Sequence, residues 1–92
     1  MSTKELFDNI NSYHSTLIDI PYIKISCDYN SLARYFDVGI QLYKYNKNND
    51  SFELIKYVYY FIYNDKDLKV YKNKVKKEII PFIFLTSKVK VL

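Results

Sequence analysis

An aromatic run at residues 56–63 is the part of this chain whose residue types are best suited to binding. It reads Lys-Tyr-Val-Tyr-Tyr-Phe-Ile-Tyr, and five of its eight side chains are aromatic. Alternate residues of an extended strand share one face, so four of these rings are expected on the same face. The four are Tyr57, Tyr59, Phe61 and Tyr63. Rings placed in this way can stack on nucleic-acid bases or anchor a protein interface.

The opposite face of the same strand is the better candidate for the core. It would present the aliphatic side chains of Leu54, Val58 and Ile62 to the interior. A sheet covered on both faces is the alternative, and the four rings would then belong to a core. The run does not fit the RNA-recognition motif, because that motif needs small residues where this chain has Tyr57 and Tyr59.

A cluster of lysines follows the aromatic run. Its five members are Lys69, Lys72, Lys74, Lys76 and Lys77. Residues 1–46 hold four basic and five acidic side chains, whereas residues 47–92 hold ten basic and five acidic ones, so the net charge of +4 arises in the second half. A basic half suits an acidic partner, either nucleic acid or an acidic protein surface. A solvated lysine-rich edge that prevents aggregation is the alternative.

The sequence offers few residues for catalysis. His14 and Cys27 are the only residues of their types, and no glycine-bearing nucleophile turn lies near either. His14 has helical spacing with Ile10 and Leu17, which predicts a packed core histidine. A structural zinc site needs four His or Cys ligands, and a single glycine cannot build a phosphate-binding loop. We therefore expect no enzyme, no bound metal and no cofactor.

The composition predicts one small domain that spans residues 1–92. Hydrophobic residues make up 49% of the chain, which favours a folded state. Thirteen lysines against one arginine, together with many Phe, Tyr, Ile and Asn residues, indicate an AT-rich genome, so mutational bias explains part of the tyrosine and lysine excess. The single cysteine suits a reducing cytosol. No signal peptide or membrane span is evident, so we expect a cytoplasmic protein without a membrane partner.

The first half of the chain predicts two helices and a short strand. A capping box at residues 2–5 begins a helix that ends near Ile18. Residues 22–27 alternate between apolar and polar side chains, which predicts a half-buried strand. Residues 28–36 then predict a second helix, and Gly39, the only glycine, would give that helix a left-handed exit.

The second half predicts a β-meander, with polar loops at 46–51 and 64–67. The predicted strands are 40–45, 52–63, 68–72 and 79–85, with a tail or short added strand at 88–92. The expected architecture is α+β, with two short N-terminal helices packed on a four- or five-stranded, mainly antiparallel sheet.

These features favour a non-catalytic binding protein. In size and composition the chain is similar to small, non-enzymatic proteins of phages and archaeal viruses, which include anti-CRISPR inhibitors; the similarity does not extend to a motif. The first hypothesis is an inhibitor that occludes a host protein or a protein–nucleic-acid defence complex. The second is a nucleic-acid binder that uses lysines for phosphates and tyrosines for stacking. The third is a purely structural oligomer, such as a homodimer, that buries the tyrosine face against its own copy.

Overall fold

A computed structural model describes residues 2–86 as two helices and three strands, followed by a short 3-10 helix. The elements are α1 (Thr3–Ser15), β1 (Ile23–Asn30), β2 (Tyr35–Asn46), β3 (Ser51–Ile62), α2 (Asp65–Glu78) and the 3-10 helix (Ile80–Phe82). The α+β class is therefore confirmed. The layout differs from the expected one, because one helix precedes the sheet and the other follows it.

The three strands form an antiparallel meander in the order β1-β2-β3. Apolar side chains alternate along each strand, and Ile25, Ile40 and Val58 are direct cross-strand partners on the inner face. Both helices cover this inner face, since their buried side chains join one core cluster with the strands. The buried members are Leu6, Ile10, Leu17, Phe36, Val38, Ile40, Leu42, Val58, Ile62, Leu68, Tyr71, Val75 and Ile79.

The predicted N-cap at Ser2 is confirmed, and Glu5 reaches back to the Ser2 hydroxyl rather than to the backbone N–H that would complete a capping box. Ser2 Oγ accepts a hydrogen bond from the Glu5 backbone N–H at 3.1 Å and donates one to Glu5 Oε1 at 3.1 Å. These bonds satisfy one of the free N–H groups of the first turn. The helix ends at Ser15, three residues before the expected end at Ile18.

The predicted second helix at residues 28–36 is wrong. β1 continues to Asn30, whose side-chain Oδ1 accepts the backbone N–H groups of Leu32 at 3.1 Å and Ala33 at 2.9 Å. Arg34 adopts a φ of 60° and completes a tight turn into β2. The asparagine turn therefore outweighs the local helical spacing. Gly39 lies in the middle of β2 and has no left-handed conformation.

The predicted strand at 68–72 is also wrong, because α2 occupies this segment. Asn64 caps the helix by accepting the Asp67 backbone N–H at 3.0 Å, and Asp67 Oδ2 in turn accepts the N–H of Tyr63 at 2.9 Å. The buried residues Leu68, Tyr71 and Val75 follow at helical spacing. The polar residues 64–67 therefore begin a helix instead of a strand-to-strand turn.

The predicted strand at 79–85 is wrong as well. Pro81 lies in the first turn of the 3-10 helix, where its missing N–H is tolerated, and residues 83–86 form a helical turn. Consequently residues 2–86 contribute three strands rather than four or five. The predicted loop at 46–51 is confirmed as a hairpin connection between β2 and β3. The predicted tail at 88–92 lies outside the described residues.

A buried polar pair joins the two helices. His14 is 7% exposed, which confirms it as a core residue, and its Nε2 lies 2.8 Å from the hydroxyl oxygen of the fully buried Tyr71. Burial lowers the pKa of the His14 imidazole and raises the pKa of the Tyr71 hydroxyl. Both groups therefore stay neutral near pH 7, and the hydroxyl can donate to an unprotonated Nε2.

We expect the free energy of unfolding to decrease as the pH falls below about 6.5. The unfolded chain takes up a proton at His14 near that pH, whereas the folded chain resists it because the folded pKa is lower. The slope should not exceed about 1.4 kcal/mol per pH unit for this one group. Urea unfolding between pH 7.5 and pH 5 measures it, with His14→Gln as the control. If the free energy of unfolding of His14→Gln depends on pH as steeply as that of the wild type, protonation of His14 is not the cause.

Candidate binding surface

The outer face of the sheet, which points away from both helices, carries the aromatic run. The structure places Tyr57, Tyr59 and Phe61 on this face, and Tyr63 lies immediately beyond the end of β3. Their exposed fractions are 56%, 51%, 52% and 54%, so each ring remains half open to solvent. On the inner face of the same strand, Val58 and Ile62 are buried as predicted. We call these four rings the aromatic row.

A bulge in β3 extends the apolar surface beyond the aromatic row. Leu42 pairs with Lys56 but Tyr43 pairs with Leu54, so Ile55 is an extra residue without a partner across the strand pair. The bulge reverses the alternation and turns Leu54 to the outer face, where it is 46% exposed. The prediction that Leu54 belongs to the core with Val58 is therefore wrong.

The rings of the aromatic row are held by contacts with each other and with β2. The rings of Tyr57 and Tyr59 have centroids 5.3 Å apart. The ring of Tyr35 on β2 lies 4.7 Å from that of Phe61 and 5.2 Å from that of Tyr63. Such tilted pairs are favourable beyond the area they bury. The result is a partly ordered apolar surface rather than a set of isolated exposed side chains.

Gly39 allows Tyr59 to lie across the neighbouring strand. A Cβ added at Gly39 would lie 2.6 Å from Tyr59 Cδ1 and 2.9 Å from Ser26 Oγ, so the ring occupies space that any other residue would fill. Gln41 Nε2 donates to the Tyr59 hydroxyl at 2.5 Å, and the Tyr43 hydroxyl donates to Gln41 Oε1 at 3.1 Å. Both ends of the Tyr59 side chain are thereby fixed.

The sequence prediction missed the contribution of β2 to this surface. Tyr35, Gly39, Gln41 and Tyr43 all lie on the outer face, opposite to or beside the residues of β3. A signal was present, because the intervening residues 36–42 alternate as Phe, Val, Ile and Leu at every second position. That alternation predicts a strand with one buried face.

The lysine cluster does not lie beside the aromatic row. All five lysines belong to α2, which packs on the inner face, so the sheet separates them from the rings. Lys72 lies over the ring of Tyr13 at 5.3 Å from its centroid, and Lys74 pairs with Glu78 at 3.6 Å. Lys69, Lys76 and Lys77 are exposed. The predicted site is therefore split between two sides of the molecule.

Acidic side chains border the aromatic row instead. Asp28 on β1 and Asp37 on β2 are direct cross-strand partners, and Asp37 in turn lies opposite Phe61. Both aspartates are exposed, and Lys24 is the basic residue of β1 on this face. A phosphate backbone that approached the rings would meet these carboxylates and be repelled.

Cys27 lies on the inner side of β1, beside an open groove between β1 and α1. Its pKa is raised, first by burial and then by the nearby charges of Asp28 and Asp37, so the thiol stays protonated at neutral pH. The groove has a volume of about 490 Å³ and is lined by three isoleucines and three small polar residues together with His14 and Cys27. Among residues 2–86, no three His, Cys, Asp or Glu side chains cluster to hold a metal ion.

Comparison with known proteins gives no family for this chain. No family model matches it, and neither the curated proteins nor the solved structures yield a significant match. Within residues 2–86, no helix is long and apolar enough to cross a membrane.

Proposed function

We propose that this chain is a non-catalytic binding protein that docks onto another protein through the outer face of its sheet. The half-exposed aromatic row carries the proposal. Contiguous exposed apolar surface commonly marks an interaction site, and tyrosine and phenylalanine give a large contact area at low entropy cost. Tyr59, fixed at both ends, would lose little side-chain freedom on binding.

A host protein is the partner that best agrees with the composition. The AT-rich residue usage and the small size suit a virus or mobile element. A protein of that origin would act by occluding a host surface, and a nucleic-acid-handling defence complex, the target of anti-CRISPR inhibitors, is the class of partner we favour. The aromatic row lies beside the acidic side chains of Asp28 and Asp37, and protein interfaces combine apolar anchors with polar residues.

The proposal is tested by capture from a lysate of an AT-rich bacterial or archaeal host. Tagged wild-type protein serves as one bait, and a variant with a disrupted aromatic row serves as the other. We expect at least one protein to be retained by the wild type and lost with the variant. Recovery of the same proteins with both baits, or of none, would reject the proposal.

Direct nucleic-acid binding is the competing function, and it makes an opposite prediction for the lysines. We expect that Lys69→Glu, Lys76→Glu and Lys77→Glu together leave protein capture unchanged, because these side chains lie on the far side of the sheet. These three are chosen since Lys72 and Lys74 have structural contacts.

Gel-shift assays with single-stranded and duplex probes complete this comparison. Two results together would support the nucleic-acid hypothesis: the wild type binds a probe with an affinity that falls steeply with salt, and the triple variant loses that binding. The basic half of the chain would then bind nucleic acid and not a protein. We expect no shift with either protein at physiological salt.

A further inference from the structure

The two outer strands of the sheet differ in how well their free edges are protected. β1 and β3 each pair with β2 alone among the described residues. β1 carries charged side chains along its length, at Lys24 and Asp28. Residues 57–62 of β3 read Tyr-Val-Tyr-Tyr-Phe-Ile and include no charge, no proline and no glycine. Natural edge strands usually carry charges, proline or a bulge that prevents further pairing, and the bulge of β3 at Ile55 lies outside this stretch.

The free edge of β3 is also accessible. A groove of about 390 Å³ follows it, lined by Tyr59, Tyr60, Phe61, Tyr63 and Asp67. Three of these residues are consecutive in the strand, so the groove borders the backbone itself and not only one face. The lining is predominantly apolar, and Asp67 in the first turn of α2 is its one charged member.

The aromatic row lies at the margin of the outer face, because it belongs to the edge strand. The centre and far side of that face carry Asp37 on β2 and Asp28 on β1. Binding hot spots usually lie near the middle of an interface and are surrounded by polar contacts. One copy of the chain therefore presents the apolar anchors at the rim of its docking surface.

We propose that a second copy of this chain pairs with the β3 edge, so that two sheets join into one antiparallel six-stranded sheet. Symmetric strand pairing places a two-fold axis perpendicular to the sheet, so both outer faces point to the same side. The two aromatic rows then become adjacent at the centre, with the acidic residues at both rims. The uncharged stretch 57–62 meets its own copy without like-charge repulsion, and its aromatic pairs are favourable.

This inference rests on the proposed function, because the dimer would complete the docking surface. Its test uses the purified full-length chain alone. Sedimentation velocity over a wide concentration series is expected to show a species of twice the 11.1 kDa chain mass. Amide hydrogen exchange should show protection of amides in residues 57–62 that increases with concentration, and no such change in β1.

A charge at the edge provides the variant. Phe61→Lys adds one cation from each copy to the paired strands and is expected to weaken the dimer by at least about tenfold. Leu32→Lys, at a turn residue that is 96% exposed, is the matched control and should not change it. A monomer at all concentrations, or protection of 57–62 that is independent of concentration, would overturn the inference.

The two proposals can fail separately. A monomer that still captures a host protein through the aromatic row would reject the dimer and retain the docking function. A dimer that captures nothing would retain the pairing and reject the function.

Discussion

Replacement of Tyr57 and Phe61 by alanine is expected to weaken partner binding by at least about 100-fold. Truncation of an aromatic hot spot costs about 2 kcal/mol or more, and a 100-fold loss of affinity corresponds to about 2.8 kcal/mol. Both rings are half exposed on the outer face, so their removal leaves no cavity in the core. Tyr59 is kept, because its contacts with Gly39 and Gln41 stabilise the sheet.

Phe84→Ala is the matched control for this experiment. Phe84 is 59% exposed, similar to Phe61, but it lies outside the sheet, in the helical turn that follows α2 and the 3-10 helix. Surface plasmon resonance against the captured partner measures the affinities, and circular dichroism checks that each variant folds. Equal loss of affinity in Phe84→Ala, or wild-type affinity in the double variant, would place the binding surface elsewhere.

Ile40→Ala is expected to lower the free energy of unfolding by about 2–5 kcal/mol. Ile40 is fully buried at the centre of the sheet, between Ile25 and Val58 and beneath the helices. Removal of its outer carbons loses burial and leaves a cavity that neighbouring strands cannot close. For a domain of this size the loss is a large part of the total stability, and the melting temperature should fall by roughly 10–25 °C.

Leu54→Ala is the paired comparison, and it tests the bulge directly. A continuous alternation along β3 would bury Leu54 with Val58, whereas the bulge at Ile55 turns it to solvent. We therefore expect a cost below about 1 kcal/mol, in line with a surface substitution. Thermal and urea unfolding measure both variants. A cost for Leu54→Ala close to that of Ile40→Ala would contradict the observed register.

Local signals in the sequence predicted those parts of the fold that depend on neighbouring residues. The N-cap at Ser2, the polar hairpin loop at 46–51 and the burial of Val58 and Ile62 follow from local chemistry and period-two alternation. The position of the aromatic row on one strand face follows from the same alternation. These features need no knowledge of the rest of the chain.

The segment at residues 68–75 is ambiguous in the sequence because it fits both a strand pattern and a helix pattern. Leu68 and Val70 fit the alternation of a strand, while Leu68, Tyr71 and Val75 fit the spacing of a helix. The segment is a helix in the structure, and Tyr71 is buried there because it contacts His14 on α1. Such a contact over 57 residues cannot be inferred from either segment alone.

The placement of the lysines and of Leu54 depends on tertiary structure. The lysines of α2 lie near the rings only if α2 packs on the outer face of the sheet. No local pattern in the sequence indicates on which face α2 packs. The bulge at Ile55 likewise depends on how β2 and β3 align from the hairpin onward. Sequence patterns therefore identified the residues of the aromatic row but not its neighbours.

The presence of both helices on one side of the sheet has an evolutionary consequence. The outer face contributes little to the hydrophobic core, so its side chains can change without unfolding the protein. Under the proposed function, a host protein that escaped binding by altering its own surface could be followed by substitutions at positions 57, 61 and 63. Position 59 is the exception, because its ring and Gly39 must change together. Relatives in an arms race should therefore diverge fastest on this face and retain the glycine.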